Sequence, residues 1–484
     1  MHKITRRVEQ MTENKTKIVA TMGPATASYA VLKDMILAGI NICRLNFSHG
    51  DYDAVKETIG YIRQINIELG TNVGLLADLQ GPKLRIGLVK DNGVELVTGR
   101  EMVITTEECE GTAERIYITY PQFPRDVAVG DKVLIDDGKI MLQVLATNST
   151  NEVKAVVVFG GILSSKKGVN LPNTRISLPC LTPKDKKDLD FALAQNVDWV
   201  ALSFVRSVTD IVELKEIIKK NGGRARVIAK IEKPEAILEI DNIIDMTDGI
   251  MVARGDLGVE LPFEQVPMIQ KMLVHKCIAA SKPIIIATQM MESMITNFAP
   301  TRAEVNDVAN AVMDGADAVM LSGETSVGKY PVKVIEAMQR IISRVEEEES
   351  IYHREHAPVL KTQTFVSDSI CYTACVMAHQ ANVSAIISMT NSGYTAFKLS
   401  SHRPKASIYI FTDNRSLLTS LSLVWGVKGF YYDKYESTDQ TITDLSLFLK
   451  NENLVQTDDM VINIASMPMK ERGRTNMLKL SIIH

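Results

Sequence analysis

No run of about 18 consecutive apolar residues occurs in the 484-residue sequence, so a membrane-spanning helix is not expected. Positive charge is not in excess either. Fifty-four Lys and Arg stand against 58 Asp and Glu, a formal net charge of −4 that removes the electrostatic footprint of a general nucleic-acid binder. The six cysteines, Cys43, Cys109, Cys180, Cys277, Cys371 and Cys375, have neither disulfide-framework nor zinc-ribbon spacing, and a reducing, cytoplasmic setting is expected. The start, Met1 to Lys17, mixes charges of both signs and lacks the apolar core of a secretion signal. What is present is ordinary globular composition, 45% hydrophobic and 23% charged, at a length that suits roughly two to four domains.

Apolar runs ending in polar residues alternate with helical patterns, as in parallel strands buried on both faces and joined by crossover helices. The runs are Ile18–Gly23, Asn41–Ser48, Val73–Leu79, Val197–Val205, Arg226–Glu232, Gly249–Asp256, Pro283–Met290 and Asp317–Glu324. Helical patterns at Tyr29–Ala38, Pro234–Met246, Phe263–Ala280, Thr301–Met313 and Pro331–Val345 separate most of them. Eight such units predict an α/β TIM (β/α)8 barrel, with an open doubly wound sheet as the fallback.

Between the third and fourth runs lie about 100 residues of short alternating segments, too many for a plain loop. They are punctuated by Asp137-Gly138 and Gly160-Gly161, which read as hairpin turns of an inserted all-β lid domain. The acidic run Glu346–Glu349 reads as a solvated helix end. After it comes a second series, with helices at Val366–His379, Tyr394–Ser401 and Arg415–Val424. Its strands fall at Ala385–Thr390, Ser407–Thr412, Lys428–Tyr432, Asp459–Ile464 and Met477–Ile483. The expected organisation is a barrel over residues 1–80 and 181–349, the insertion over 81–180 and a C-terminal α/β domain over 350–484.

In a TIM barrel the strand C-terminal ends face the active site. The tails offer Arg44, Asn46, Ser48, His49, Asp78, Lys230, Glu232, Asp256, Thr288, Ser322 and Glu324. Each alone reads as a cap, an ion pair or a solvated residue, but their shared placement favours chemistry. Lys230 and Glu232, two apart on a strand, leave the same face with Cα atoms about 7 Å apart. Glu232 and Asp256 suit Mg²⁺, which keeps positions for water and phosphate oxygens; a buried Lys–Glu or Lys–Asp pair is the structural alternative. Gly255 and Gly258 let backbone N–H groups approach an anion, and Thr288 adds a hydroxyl, which fits a carboxylate. Arg44 and Lys230 remain to stabilise a transferring phosphoryl group.

Six strings, Asn41–Gly50 (NICRLNFSHG), Ala229–Ala236 (AKIEKPEA), Met251–Glu260 (MVARGDLGVE), Ala287–Met294 (ATQMMESM), Pro300–Ala309 (PTRAEVNDVA) and Ala318–Gly323 (AVMLSG), resemble the pyruvate kinase family. The resemblance covers barrel, lid and tail in order. It implies phosphate transfer from phosphoenolpyruvate to ADP, giving pyruvate and ATP as the last step of glycolysis. It also implies Mg²⁺, or Mn²⁺ in its place, on Glu232 and Asp256, with Lys230 and Arg44 on the phosphoryl group. Gly255 and Thr288 would hold the carboxylate, and Asn46, Arg85 and Lys167 the nucleotide, the last from the insertion. The proton for the enolate would come from Thr288 or from water near Ser322 and Glu324. A homotetramer is implied as well, with no nucleic acid or membrane as partner. A Mg²⁺-dependent lyase or carboxyl-transfer enzyme and an inactive phosphometabolite sensor are the rival readings, against the first of which stand Arg85, Lys166 and Lys167.

Two departures carry further expectations. Where many members read Thr-Lys-Gly-Pro-Glu after the aspartate and need K⁺, this chain reads Leu79-Gln80-Gly81-Pro82-Lys83. Asn46, Ser48, Asp78 and the Leu79 carbonyl remain available as a cage, but the Lys83 ammonium is expected to replace the cation, so K⁺ is not required. In the tail, Thr390, Asn391, Ser392, Gly393 and Thr395 begin a predicted helix where a phosphorylated effector would bind. Ser466–Thr475 lacks the Trp and the Gly-rich loop of members that respond to fructose bisphosphate, so a sugar monophosphate or AMP is the expected activator.

Overall fold

The computed structural model describes residues 14–48, 51–172, 174–360, 362–434, 437–467 and 473–484. Eight parallel strands close a barrel in chain order: Lys17–Thr21, Ile42–Asn46, Gly74–Asp78, Trp199–Leu202, Arg226–Ile231, Gly249–Ala253, Ile284–Ala287 and Ala318–Leu321. Alternation along each strand sends one set of side chains into the barrel and the other under the surrounding helices. Val19, Ile42, Leu76, Trp199, Ile228, Met251, Ile285 and Met320 fill the interior. Ile18, Cys43, Leu75, Val227, Ile250 and Ile286 join the larger core beneath the helices.

Every predicted barrel strand is present, but most are shorter at the functional end. The sixth stops at Ala253, so Asp256 sits in the first turn of a short helix, Arg254–Glu260. The eighth stops at Leu321, leaving Glu324 in the helix Gly323–Ser326. The predicted helix Pro234–Met246 is two, Pro234–Leu238 and Ile240–Met246, and Phe263–Gln265 is a 3-10 turn ahead of the helix Val266–Ala279.

The insertion forms a six-stranded sheet with its own core, plus a strand pair, Val94–Leu96 with Gly161–Leu163. Asp137-Gly138 turns a hairpin between Lys132–Ile135 and Ile140–Thr147, as expected. Gly160-Gly161 does not. The chain leaves the six-stranded sheet there and pairs antiparallel with Val94–Leu96. A Cβ on Gly160 would lie 2.0 Å from the Leu96 carbonyl oxygen, so glycine is needed for close backbone approach rather than for a turn.

The C-terminal sheet runs in the order Val427–Tyr431, Ser407–Thr412, Ala385–Met389, Met460–Ala465, Met477–Ile482, with the last strand antiparallel. The expected helix Arg415–Val424 ends at Leu421, and the helix Thr438–Asn451 went unrecognised. Leu423, just past that helix end, is buried with the barrel interior. Nearby, Trp199 Nε1 donates to the Ser420 carbonyl at 3.2 Å, and Thr419 Oγ1 donates to Asp198 Oδ1. The acidic run is not wholly solvated: the Glu346 carboxylate accepts the Lys15 and Thr16 N–H groups at 2.9 and 2.7 Å.

Candidate active site

Strand alternation decides which polar groups meet at the rim. Arg44 lies two residues beyond interior Ile42, Asp78 two beyond Leu76 and Lys230 two beyond Ile228, so all three enter above the apolar plug. Arg44 Nε donates to Asp78 Oδ2 at 2.6 Å, and Arg44 Nη1 to Thr21 Oγ1 at 2.9 Å. Lys230 Nζ donates to Ser203 Oγ at 2.7 Å and lies 3.0 Å from Glu232 Oε1. It is also 3.2 Å from Asp78 Oδ1, a charge contact whose angle falls short of a hydrogen bond.

The charges set one another's protonation. Burial alone would lower the Lys230 pKa, but Asp78 and Glu232 more than reverse this, so the ammonium persists. Burial opposes charge on Asp78 too, yet Lys230 and Arg44 hold its pKa below the usual carboxylate value. Glu232 differs: burial pushes its pKa up, Lys230 opposes, and nearby Asp256 adds to the rise. Glu232 and Asp256 thus form a carboxylate pair in which the buried member lacks full charge compensation, and all the donors are oxygen. That set fits a hard divalent cation sharing its other positions with water and substrate oxygens. Among the described residues no group of three or more His, Cys, Asp or Glu is arranged to hold a metal, so an all-protein cage is not built here.

Thr288 has φ of +67° and Gln289 of +56°, and a β-branched residue in the left-handed region marks local strain. Thr288 Oγ1 accepts the Gly255 N–H at 2.7 Å and donates to the Ala287 carbonyl at 2.6 Å, so the two proposed carboxylate holders are bonded to each other. Arg254 anchors this loop through paired bonds of 2.6 and 2.7 Å to Asp307. Glu324 is buried, which raises its pKa, and accepts the Met291 and Ser322 N–H groups at 3.1 and 2.7 Å.

The remaining predicted residues lie further out. Asn46 Oδ1 accepts the Ser48 N–H at 3.1 Å, and the Leu79 carbonyl accepts from Ser203 Oγ at 2.6 Å, so two of the four cage oxygens have partners other than a cation. Lys83 is exposed and lines, with Asp256, Glu260 and Lys233, the cleft between barrel and insertion. In the insertion, Arg85 Nη1 donates to the Lys166 carbonyl at 3.0 Å, and Lys167 pairs with Asp136 at 2.9 Å. Asn170 Nδ2 crosses the cleft to Glu260 Oε1 at 2.9 Å. His49 lies outside the described residues.

Thr21, Ser203, Arg254 and Asp307 were missed. Ser203 falls near the end of the predicted run Val197–Val205, so the strand-tail rule, applied to that run, would have found it; Arg254–Asp307 is a pairing across 53 positions that spacing does not reveal.

Far from this rim, Thr390, Asn391, Ser392 and Thr395 line a pocket of about 590 Å³ in the C-terminal domain, joined by Arg474 and Thr475. The Gly393 N–H is capped by Thr390 Oγ1 at 3.1 Å, and Thr395 Oγ1 bonds Thr475 Oγ1 at 3.0 Å.

Comparison with known proteins identifies the family. The family profile described as pyruvate kinase, barrel domain, matches residues 13–335, and that of the pyruvate kinase alpha/beta domain matches residues 368–481. The pyruvate kinase of Geobacillus stearothermophilus is 42% identical over 475 residues, 97% of this chain and 81% of the relative. That of Corynebacterium efficiens is 42% identical over 471 residues, 97% of this chain and 98% of the relative. The crystal structure of a pyruvate kinase from Cryptosporidium parvum superposes with a TM-score of 0.92 at 35% identity, covering 100% of this chain and 99% of that one. Sequence and fold agree over all three parts of the molecule, and the chain belongs to the pyruvate kinase family of phosphotransferases.

Proposed function

We propose that the chain transfers the phosphoryl group of phosphoenolpyruvate to ADP, with the Arg44–Asp78–Lys230–Glu232 cluster as the observation that carries the reading. The phosphorus–oxygen bond to the enol carbon side breaks, a new bond forms to a terminal oxygen of ADP, and the enolate left behind takes a proton at carbon to give pyruvate. Lys230 and Arg44 face the equatorial oxygens, where positive charge counts most during transfer. Asp78 holds both cations in place. Thr288 and Gly255 exchange their mutual bond for the substrate carboxylate, and Thr288, or water beside Ser322, supplies the proton. Glu324 shapes that wall through its two backbone bonds. Asn46, Arg85 and Lys167 engage the nucleotide across the cleft.

Glu232 and Asp256 would hold Mg²⁺, or Mn²⁺; when bound, it supplies charge neutralisation for phosphate oxygens. The ammonium of Lys83, in the same cleft as Asp256, supports a reaction that does not require K⁺. The C-terminal pocket, with its hydroxyls and Arg474, is read as the site of an activating sugar monophosphate or AMP. A homotetramer is carried over from the family resemblance alone. A cytoplasmic setting is supported by six unbridged cysteines, a role in glycolysis by membership of the family, and no described helix is long and apolar enough to cross a membrane.

The deciding experiment is pyruvate formation from phosphoenolpyruvate with and without ADP. ADP-dependent pyruvate with equal ATP is expected, and pyruvate released at the same rate without ADP overturns the reading in favour of a lyase or phosphatase.

A further inference from the structure

One peptide unit connects the C-terminal pocket to the floor of the barrel. The carbonyl of Ser392 accepts a hydrogen bond from Arg226 Nη2 at 3.2 Å, and the N–H of Gly393, in the same planar unit, donates to Thr390 Oγ1 at 3.1 Å. Planarity means that neither group turns without the other. Gly393 has φ of +85°, so the unit is joined to the helix Tyr394–Ser401 by the residue with the greatest torsional freedom. Thr390 and Ser392 line the pocket; Arg226 does not.

Arg226 is the first residue of the fifth barrel strand, and Lys230 stands four residues up it, about 13 Å away along an extended chain. Its guanidinium lies 4.7 Å from the ring centre of Phe397, on the helix that follows the pocket loop, and 6.0 Å from that of Trp199, which opens the fourth strand. The strand is buried at Val227, Ile228, Ala229 and Ile231, so a displacement at its start has close-packed neighbours to carry it.

We propose that Arg226 is the positioning residue through which occupancy of the C-terminal pocket reaches Lys230 and Glu232. A phosphate that takes the Thr390 hydroxyl and the Gly393 N–H turns the 392–393 peptide unit, alters the Arg226 bond and resets the strand on which both rim residues stand. The inference rests on the reading of this pocket as a phosphate-effector site.

The test uses the full-length enzyme with Arg226→Gln, which removes the charge and the fork, and Arg226→Lys, which keeps the charge. The half-saturating phosphoenolpyruvate concentration is measured with and without ribose 5-phosphate and inorganic phosphate, their binding is followed by calorimetry, and hydrogen exchange at residues 390–397 is compared with and without phosphoenolpyruvate. In Arg226→Gln, kcat at saturating substrate and phosphate binding to the free enzyme are expected to stay within twofold, while activation falls at least fivefold and the substrate-induced change in exchange disappears; Arg226→Lys keeps part of both. Activation and exchange responses equal to wild type in Arg226→Gln overturn the coupling. If neither phosphate ligand binds the wild type, the pocket reading falls, and exchange alone decides. A substrate-induced change present in wild type and lost in Arg226→Gln sustains the coupling. Its absence in wild type, or its persistence in the variant, overturns it. Thermal midpoints near wild type for both variants separate these outcomes from misfolding.

Discussion

At the barrel rim Arg44, Asp78, Lys230 and Glu232 form a chain of ion pairs, Arg44 to Asp78 to Lys230 to Glu232, with both carboxylates buried and both cations largely so, whereas the C-terminal pocket presents hydroxyls and, among its described lining residues, one cation, Arg474. Buried charges held in fixed geometry stabilise charge that develops during a reaction, because they need not reorganise when it appears. Hydroxyls donate or accept as required, which suits recognition of a ligand that leaves unchanged. The contrast predicts that rim substitutions act on turnover and pocket substitutions on response to a phosphate ligand.

Lys230→Met is the harshest test of that division, because its charge matters most in the transition state. Turnover is expected to fall by about 10²-fold or more, with phosphoenolpyruvate binding still measurable by calorimetry. A loss within about tenfold would remove Lys230 from the chemistry. Glu232→Gln comes next: the Mg²⁺ concentration for half-maximal rate is expected to rise about tenfold or more, read from a metal titration at saturating substrate. A structural ion pair alone predicts lower stability with an unchanged metal requirement.

The junction between barrel and C-terminal domain adds a pH signature. Asp198 is almost fully buried, and burial raises its pKa to about 6, against the bonds from Thr419 and the Leu75 N–H. The folded state therefore keeps its proton where the unfolded chain has lost it. Stability is expected to fall by roughly 2 kcal/mol as pH rises from about 4 to 6, and to be flat with respect to this group above that. Denaturation midpoints at pH 4.5 and 6.5 for wild type and Asp198→Asn measure the slope, which the variant should lose. In the pocket, Arg474→Gln is expected to raise the half-activating concentration of ribose 5-phosphate about tenfold, in line with loss of one charge-assisted contact; a stronger response to fructose 1,6-bisphosphate than to any monophosphate refutes the ligand assignment. The smallest effect concerns Lys83. Wild type should work fully with only tetramethylammonium present, and Lys83→Glu should gain a severalfold K⁺ activation or lose activity.

The barrel was legible because two-sided burial writes long apolar runs, and the rim because polar residues at run ends have few structural reasons to gather. Strand ends were harder to read. Asp256 and Glu324 read as strand residues because the short helices that carry them, Arg254–Glu260 and Gly323–Ser326, begin within two residues of the strand ends, with no intervening loop to mark the change. Gly160 misled because a glycine pair marks either a turn or a close approach, and which one depends on Leu96, 64 positions away in sequence. Contacts such as Arg254–Asp307 and Arg226–Ser392 are products of tertiary packing and leave no local pattern.

Leu423 makes the floor of the barrel a shared possession. Its side chain is counted among the residues that fill the barrel interior, though the chain that bears it belongs to the C-terminal sheet domain. Cutting the linker after Tyr352 would leave the eight strands with an open lower end and exposed Trp199, Ile42 and Leu76. The two parts are therefore expected to unfold in one transition, which a thermal melt followed at the two tryptophans, Trp199 and Trp425, would show. Any lineage that discarded the tail would first have had to replace one leucine's worth of stopper.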